Sequence, residues 1–195
     1  MKVESIVLGS IGTNCYIVTN EETKECFAVD MAECPQEYVN YIKNNGLEMK
    51  ALFLTHGHFD HIMGIDDFLK AFPVPVYAGE DELPVIEDDR LNVSSMYGPK
   101  YAFHGAQPVR DGQVIECAGI EVDVLQTPGH TVGGCCYYLP KEHRLFSGDT
   151  LFCASIGRTD LPTGSSSQLV RSVQEKIMTL PDDTKIYPGH MEETS

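Results

Sequence analysis

Lys50-Ala51-Leu52-Phe53-Leu54-Thr55-His56-Gly57-His58-Phe59-Asp60-His61 joins a short apolar run to three histidines and an aspartate. A continuous apolar stretch of this length reads as a strand buried on both faces, over Lys50–Thr55. The turn that follows carries the chemistry. His56 and His58, two residues apart on extended chain, can aim both imidazoles at one metal ion. Asp60 and His61 lie just beyond, where the chain enters a helix predicted from His61 to about Ala71, and can address a second ion beside the first. Gly57 removes a side chain where the backbone is expected to pass close to the ions. A solvated, histidine-rich turn would need neither the aspartate nor a buried strand behind it.

Outward from this turn, strand and helix signals alternate without a linker, repeat or low-complexity tract. Lys2–Leu8, Cys15–Val18 and Cys26–Asp30 read as strands. Pro35 opens a helix that runs to about Asn44, where Gly46 stops it. Val74–Tyr77, Ile120–Gln126, Cys135–Leu139, Leu145–Ser147 and Thr184–Tyr187 read as further strands. An amphipathic helix is predicted from Ser167 to Leu180, ended by Pro181. Residues 87–107 have weak periodicity and read as a loop or lid, in which Tyr97 and Tyr101 either cover a cleft or pack. Two strand-rich halves, each with helices, predict an α+β fold, an αββα four-layer sandwich in one domain over residues 1–195.

Three strands of the second half end alike. His130 lies in Thr127-Pro128-Gly129-His130-Thr131, Asp149 in Ser147-Gly148-Asp149-Thr150, and His190 in Tyr187-Pro188-Gly189-His190. In each a strand stops, small residues follow, and one ligand-type side chain projects. Each is ordinary alone, because His and Asp are common in turns. Together with the first turn they complete two metal sites. His104 and His143, in irregular and hairpin-turn contexts, read as surface residues.

The composition narrows the remaining classes. Of 195 residues, 14 are Lys or Arg and 29 Asp or Glu, a net charge of -15. Such a surface repels phosphate backbones, so no nucleic-acid partner is expected. No apolar run approaches the roughly 18–20 residues of a membrane span, and Met1–Ser5 lacks the apolar core of a secretory signal, so no membrane role is expected either. The 7 cysteines are odd in number and include no Cys-x-x-Cys, which argues against a disulfide framework. Reduced, mostly buried thiols in a cytoplasmic protein are expected, with Cys153 packing or lying near the site.

The ordered set His-x-His-x-Asp-His, Pro-Gly-His-Thr, Gly-Asp-Thr-Leu-Phe and Pro-Gly-His resembles the metallo-β-lactamase superfamily. It looks closest to its glyoxalase II (hydroxyacylglutathione hydrolase)-like branch, over a stretch from Thr13-Asn14-Cys15-Tyr16 to His190. The resemblance implies that His56, His58 and His130 hold one metal, that Asp60, His61 and His190 hold a second, and that Asp149 bridges them. Asp60 and Asp149 are then the catalytic carboxylates. The implied reaction is thioester hydrolysis of a small molecule, such as an acylated glutathione, by a metal-bridging hydroxide. Zinc is the first expectation for both ions, and iron or manganese suits the same ligands.

Arg158, in Gly157-Arg158-Thr159-Asp160, matches a basic position near the substrate carboxylate in that branch. Its guanidinium either binds an anionic substrate group or pairs with a nearby aspartate. Asp160 stands where the branch has an aromatic residue, and no separate C-terminal helical domain is expected after His190. Both departures bear on glutathione recognition. A relative sharing Gly-Arg-Thr-Asp is a persulfide dioxygenase with a single Fe(II), for which His56, His130 and Asp149 would be the ligands. A lactonase of the same fold is a further alternative. A purely structural metal module is disfavoured, because structural zinc sites close with cysteine and histidine.

Overall fold

The computed structural model describes residues 1–195. The chain begins as a meander, β1 (Lys2–Leu8), β2 (Thr13–Thr19) and β3 (Glu25–Val29), then crosses through α1 (Gln36–Asn44) to β4 (Glu48–Phe53). Two short helices follow, α2 (Phe59–Ile62) and α3 (Ile65–Ala71), and then β5 (Val76–Gly79), α4 (Leu83–Ile86), α5 (Ser94–Tyr97) and β6 (Gln107–Val109). β1 to β6 form one sheet in chain order, antiparallel up to β3 and parallel from there on. The change of sense follows from the connections. Tight turns link antiparallel strands, whereas parallel neighbours need a crossover.

The second half contributes β7 (Val114–Cys117), β8 (Ile120–Gln126), β9 (Cys135–Leu139), β10 (Arg144–Gly148), the hairpin β11 (Leu151–Phe152) with β12 (Ser155–Ile156), α6 (Ser166–Ser172) and β13 (Lys185–Pro188). Its sheet has the order β13-β10-β9-β8-β7, with β13 parallel to β10. Three apolar clusters separate four layers. Ile42, Leu52 and Phe68 lie between α1, α3 and the first sheet. Phe27, Phe53, Val124 and Tyr137 lie between the sheets. Cys136, Leu145, Val173 and Ile177 lie under the last helix. The αββα sandwich expected from the sequence is the fold observed, because strands buried on both faces need cover on both.

The structure corrects several elements. The helix expected from His61 to Ala71 is two helices. It begins at Phe59, so Asp60 and His61 sit in its first turn, and it breaks at Gly64, whose N–H donates to the Met31 carbonyl at 2.9 Å. Glycine is a weak helix former, and an outside acceptor takes its hydrogen bond. The helix expected from Ser167 to Leu180 is α-helical only over Ser166–Ser172 and then widens into a π turn, in which the Met178 N–H reaches the Val173 carbonyl at 2.9 Å. β6, β7, β11 and β12 were not foreseen. They are short edge or hairpin strands, too brief for a periodic signal. All 7 cysteines are free; Cys34 and Cys153 are half-buried and the others buried. No helix is long and apolar enough to cross a membrane.

Candidate metal centre

The projecting side chains all leave the C-terminal ends of strands on one rim of the sandwich: β4 leads to His56 and His58, β8 to His130, β10 to Asp149, and β13 to His190. His58 Nδ1 lies 2.9 Å from His130 Nε2, which lies 3.2 Å from His56 Nε2. Beside them His61 Nε2 and His190 Nε2 stand 3.3 and 3.2 Å from Asp60 Oδ2. The Asp149 carboxylate faces both groups. Its Oδ1 is 3.4 Å from His61 Nε2, and its Oδ2 is 3.5 Å from His130 Nε2 and 3.6 Å from His190 Nε2. Every sequence-predicted ligand is therefore present in one cluster.

Hydrogen bonds behind the rings decide which nitrogens face inward. The Nδ1–H of His61 donates to Asp30 Oδ2 at 2.8 Å, that of His130 to the Arg158 carbonyl at 2.8 Å, and that of His190 to the Gly12 carbonyl at 3.3 Å. His56 Nδ1 lies 3.2 Å from Thr55 Oγ1, which itself donates to Asp30 Oδ2 at 2.8 Å. The Nε2 of each of these rings therefore turns inward, where it can serve as the metal-binding nitrogen once any proton on it has left. Three imidazole nitrogens about 3 Å apart have few protons to share and repel through their lone pairs. Their spacing is near the ligand separation of about 3.3 Å in a tetrahedral site with bonds of about 2.0–2.1 Å. His61 Nε2 and Asp149 Oδ1 are buried without a hydrogen-bond partner, aimed at the same space. The donor set fits two divalent cations.

The electrostatics differ across the centre. Burial, reinforced by the neighbouring imidazoles, holds His56 well below the ordinary histidine range and His58 down to about 3. His61 is raised well above that range: burial opposes its charge, but Asp60, Asp30 and Asp149 outweigh it. The same pairing holds Asp60 and Asp149 below the usual carboxylate range, although burial alone would raise them.

A cavity of about 590 Å³ opens onto these side chains. Ile11, Phe59, Val93, Tyr97, Phe152, Leu161 and Met191 wall it, and Arg158 is its one lysine or arginine. Tyr97 stacks on Phe59, ring centroids 5.4 Å apart. So part of 87–107 does wall a cleft, whereas Tyr101 packs against the first-sheet core. Val93 holds φ at 59°, a strained value for a β-branched residue, with its side chain at the cavity. Arg158 forms a two-pronged pair with Asp160, at 2.7 and 2.8 Å, which is the second of its two expected roles. Another cavity, of about 620 Å³ between β11–β12 and the turn after α6, holds none of the ligand side chains. His143 pairs with Asp183 at 2.7 Å, and His104 faces Glu87 at 3.6 Å, both away from the centre.

Gly57 corrects one expectation. A Cβ there would meet Ile86 Cγ1 at 2.8 Å, so its bare face is turned to α4 and not to the ion space. Sequence reasoning also missed Asp30, Thr13 and Glu82. Asp30 gives Oδ1 to the Thr55 N–H and Oδ2 to His61 and Thr55 Oγ1. An apolar strand ending in a lone Asp was its only signal. Thr13 Oγ1 donates to Asp60 Oδ2 at 3.0 Å. Glu82 is fully buried, and burial pushes its carboxyl up to about 7 against two backbone N–H donors.

Imidazoles and carboxylates gathered on the rim of an αββα sandwich define a candidate metal-dependent catalytic centre. A family model described as the metallo-beta-lactamase superfamily matches residues 8–190, and the chain belongs to that superfamily. It is 34% identical over 196 residues to the probable metallo-hydrolase YqgX of Bacillus subtilis, covering 100% of this chain and 92% of that one. Among solved structures it is similar to the BLEG-1 B3 metallo-beta-lactamase, with a TM-score of 0.93, 36% identity, and coverage of 99% of this chain and 93% of the other. It is similar also to TTHA1623 in a di-iron-bound form, with a TM-score of 0.85, 31% identity, and coverage of 98% and 94%.

Proposed function

We propose that the protein hydrolyses thioesters of small molecules, with His56, His58 and His130 holding one divalent cation, Asp60, His61 and His190 a second, and Asp149 serving both. The observation that carries this reading is the Asp149 carboxylate standing between two donor clusters at an apolar-walled cavity that presents no serine, cysteine, threonine or lysine. With no serine, threonine, cysteine or lysine nucleophile at hand and the aspartates and histidines turned to the ion space, the attacking oxygen is assigned to water. Two divalent cations, when bound, supply a hydroxide at neutral pH and polarise a carbonyl oxygen.

The chain's own residues do the rest. Asp60, oriented by Thr13 Oγ1, and Asp149 are the carboxylates that offset cationic charge and keep the inward nitrogens of His61 and His190 in place. Phe59, Tyr97, Phe152 and Leu161 would hold an acyl or alkyl group and exclude bulk water around the reacting carbonyl. Zinc suits the all-imidazole cluster best, and iron or manganese suits the carboxylate-containing one.

The test is release of thiol from a panel of acyl thioesters by metal-loaded protein, with His58→Ala as control. Turnover by wild type that His58→Ala loses is the expected outcome. Turnover of a lactone or β-lactam but of no thioester, or oxygen uptake on a persulfide by protein holding a single iron, would overturn it.

A further inference from the structure

Glu82 is the one fully buried carboxylate that the hydrolytic reading leaves without a role. It ends the 3-10 turn Glu80–Glu82 between β5 and α4 and does not line the cavity. Its two oxygens are used separately. Oε1 accepts the Gly57 N–H at 2.8 Å, and Oε2 accepts the Gly133 N–H at 2.8 Å. Gly57 lies between His56 and His58, and Gly133 follows His130 by three residues. One carboxylate therefore ties together the two loops that carry the first cluster. The packing leaves it no slack. A Cβ on Gly133 would stand 2.1 Å from Glu82 N, as one on Gly57 would press on Ile86.

The second cluster is held by other means. Asp30 fixes His61, and Asn14 binds the Pro188 and Met191 carbonyls on either side of His190. None of these ties passes through Glu82. We infer, resting on the two-metal reading, that Glu82 is a positioning residue for the His56–His58–His130 metal alone, acting as a clamp between its two loops. A carboxylate does this because both oxygens are acceptors. A carboxamide of the same shape would turn an N–H donor toward one of the two amide hydrogens and open that tie.

The experiment is a cobalt(II) titration of metal-free full-length protein, followed by visible absorption, comparing wild type with Glu82→Gln and Glu82→Asp. In Glu82→Gln one ion is expected to bind as in wild type and the other about 10–100-fold more weakly, the usual cost of losing an outer partner of a metal ligand. The same loss is expected in a His190→Ala background, in which the first cluster is titrated on its own. Glu82→Asp keeps the charge but shortens the reach, and is expected to show a smaller loss at the same ion. Thermal melts of the metal-free forms separate this from a purely structural role. Unchanged binding of both ions, equal weakening of both, or a fall in the metal-free melting temperature with no change in the titration would each overturn the inference. Failure of thioester turnover would leave it standing, because the readout is metal affinity and not activity.

Discussion

The two donor clusters, about one side chain apart, are built on opposite principles. The first is all imidazole, closed in by burial, and kept neutral by desolvation and by its own neighbours. The second mixes Asp60 with His61 and His190, draws Asp30 in behind it, and opens to solvent at His190, whose side chain is 20% exposed. A neutral set in a dry pocket binds a borderline metal with little competition from protons, whereas a set laced with carboxylates favours protonated histidines when no metal is bound. On the proposed two-metal reading, one rim thus offers two cation sites with different hardness and different sensitivity to pH.

Asp149 belongs to both clusters, so its substitution should cause the largest effect. Asp149→Asn is expected to lower kcat/KM about a thousandfold, or about 4 kcal/mol of transition-state stabilisation, and to weaken both ions in a metal titration. Loss of only one ion would show that the carboxylate is not shared. Asp30→Asn should separate the clusters: Asp30 touches His61 directly but reaches His56 only through Thr55. A 10–100-fold loss of affinity is expected at the second ion, with less at the first.

Acidification provides a third comparison. Because His61 and His190 are raised and His56, His58 and His130 lowered, protons compete more strongly at the second cluster. As pH falls below neutrality the second ion should leave first, losing about tenfold in affinity per pH unit for each histidine that takes up a proton. Metal content after dialysis at stepped pH measures the order, and release of the first ion ahead of the second would contradict the contrast.

Thr13→Val removes only the hydroxyl that donates to Asp60. About 1 kcal/mol is expected, read as a roughly fivefold weakening of the second ion with the first unchanged. The smallest effect falls outside both clusters. Arg158 and Asp160 form an exposed pair, their side chains 54% and 68% accessible, so Arg158→Ala should move the melting temperature negligibly. If Arg158 leaves Asp160 to bind substrate, KM should rise for thioesters bearing a carboxylate and stay unchanged for uncharged ones. A KM unchanged from wild type for both classes would confine Arg158 to its pair with Asp160.

The ligands were legible because they are rare residue types in a repeated context: a strand, small residues, then a projecting histidine or aspartate. The four layers were legible for a similar reason, since an apolar run such as Ala51–Leu54 needs cover on both faces. The residues behind the ligands carried no comparable signal. Asp30 lies 25 positions from Thr55 and 31 from His61, Glu82 lies 25 from Gly57 and 51 from Gly133, and nothing in Glu80-Asp81-Glu82 distinguishes the buried acid from its exposed neighbours. Helix limits failed where an outside acceptor intervened, as the Met31 carbonyl does at Gly64.

The amino-acid order by itself determined the inventory of this protein: which side chains can bind cations and which segments must be buried. Tertiary structure alone decided the nitrogen each ring turns inward and the clamps that hold the two clusters in place. Those depend on hydrogen bonds between segments far apart in the chain, and their directions exist only once both sheets have closed on each other.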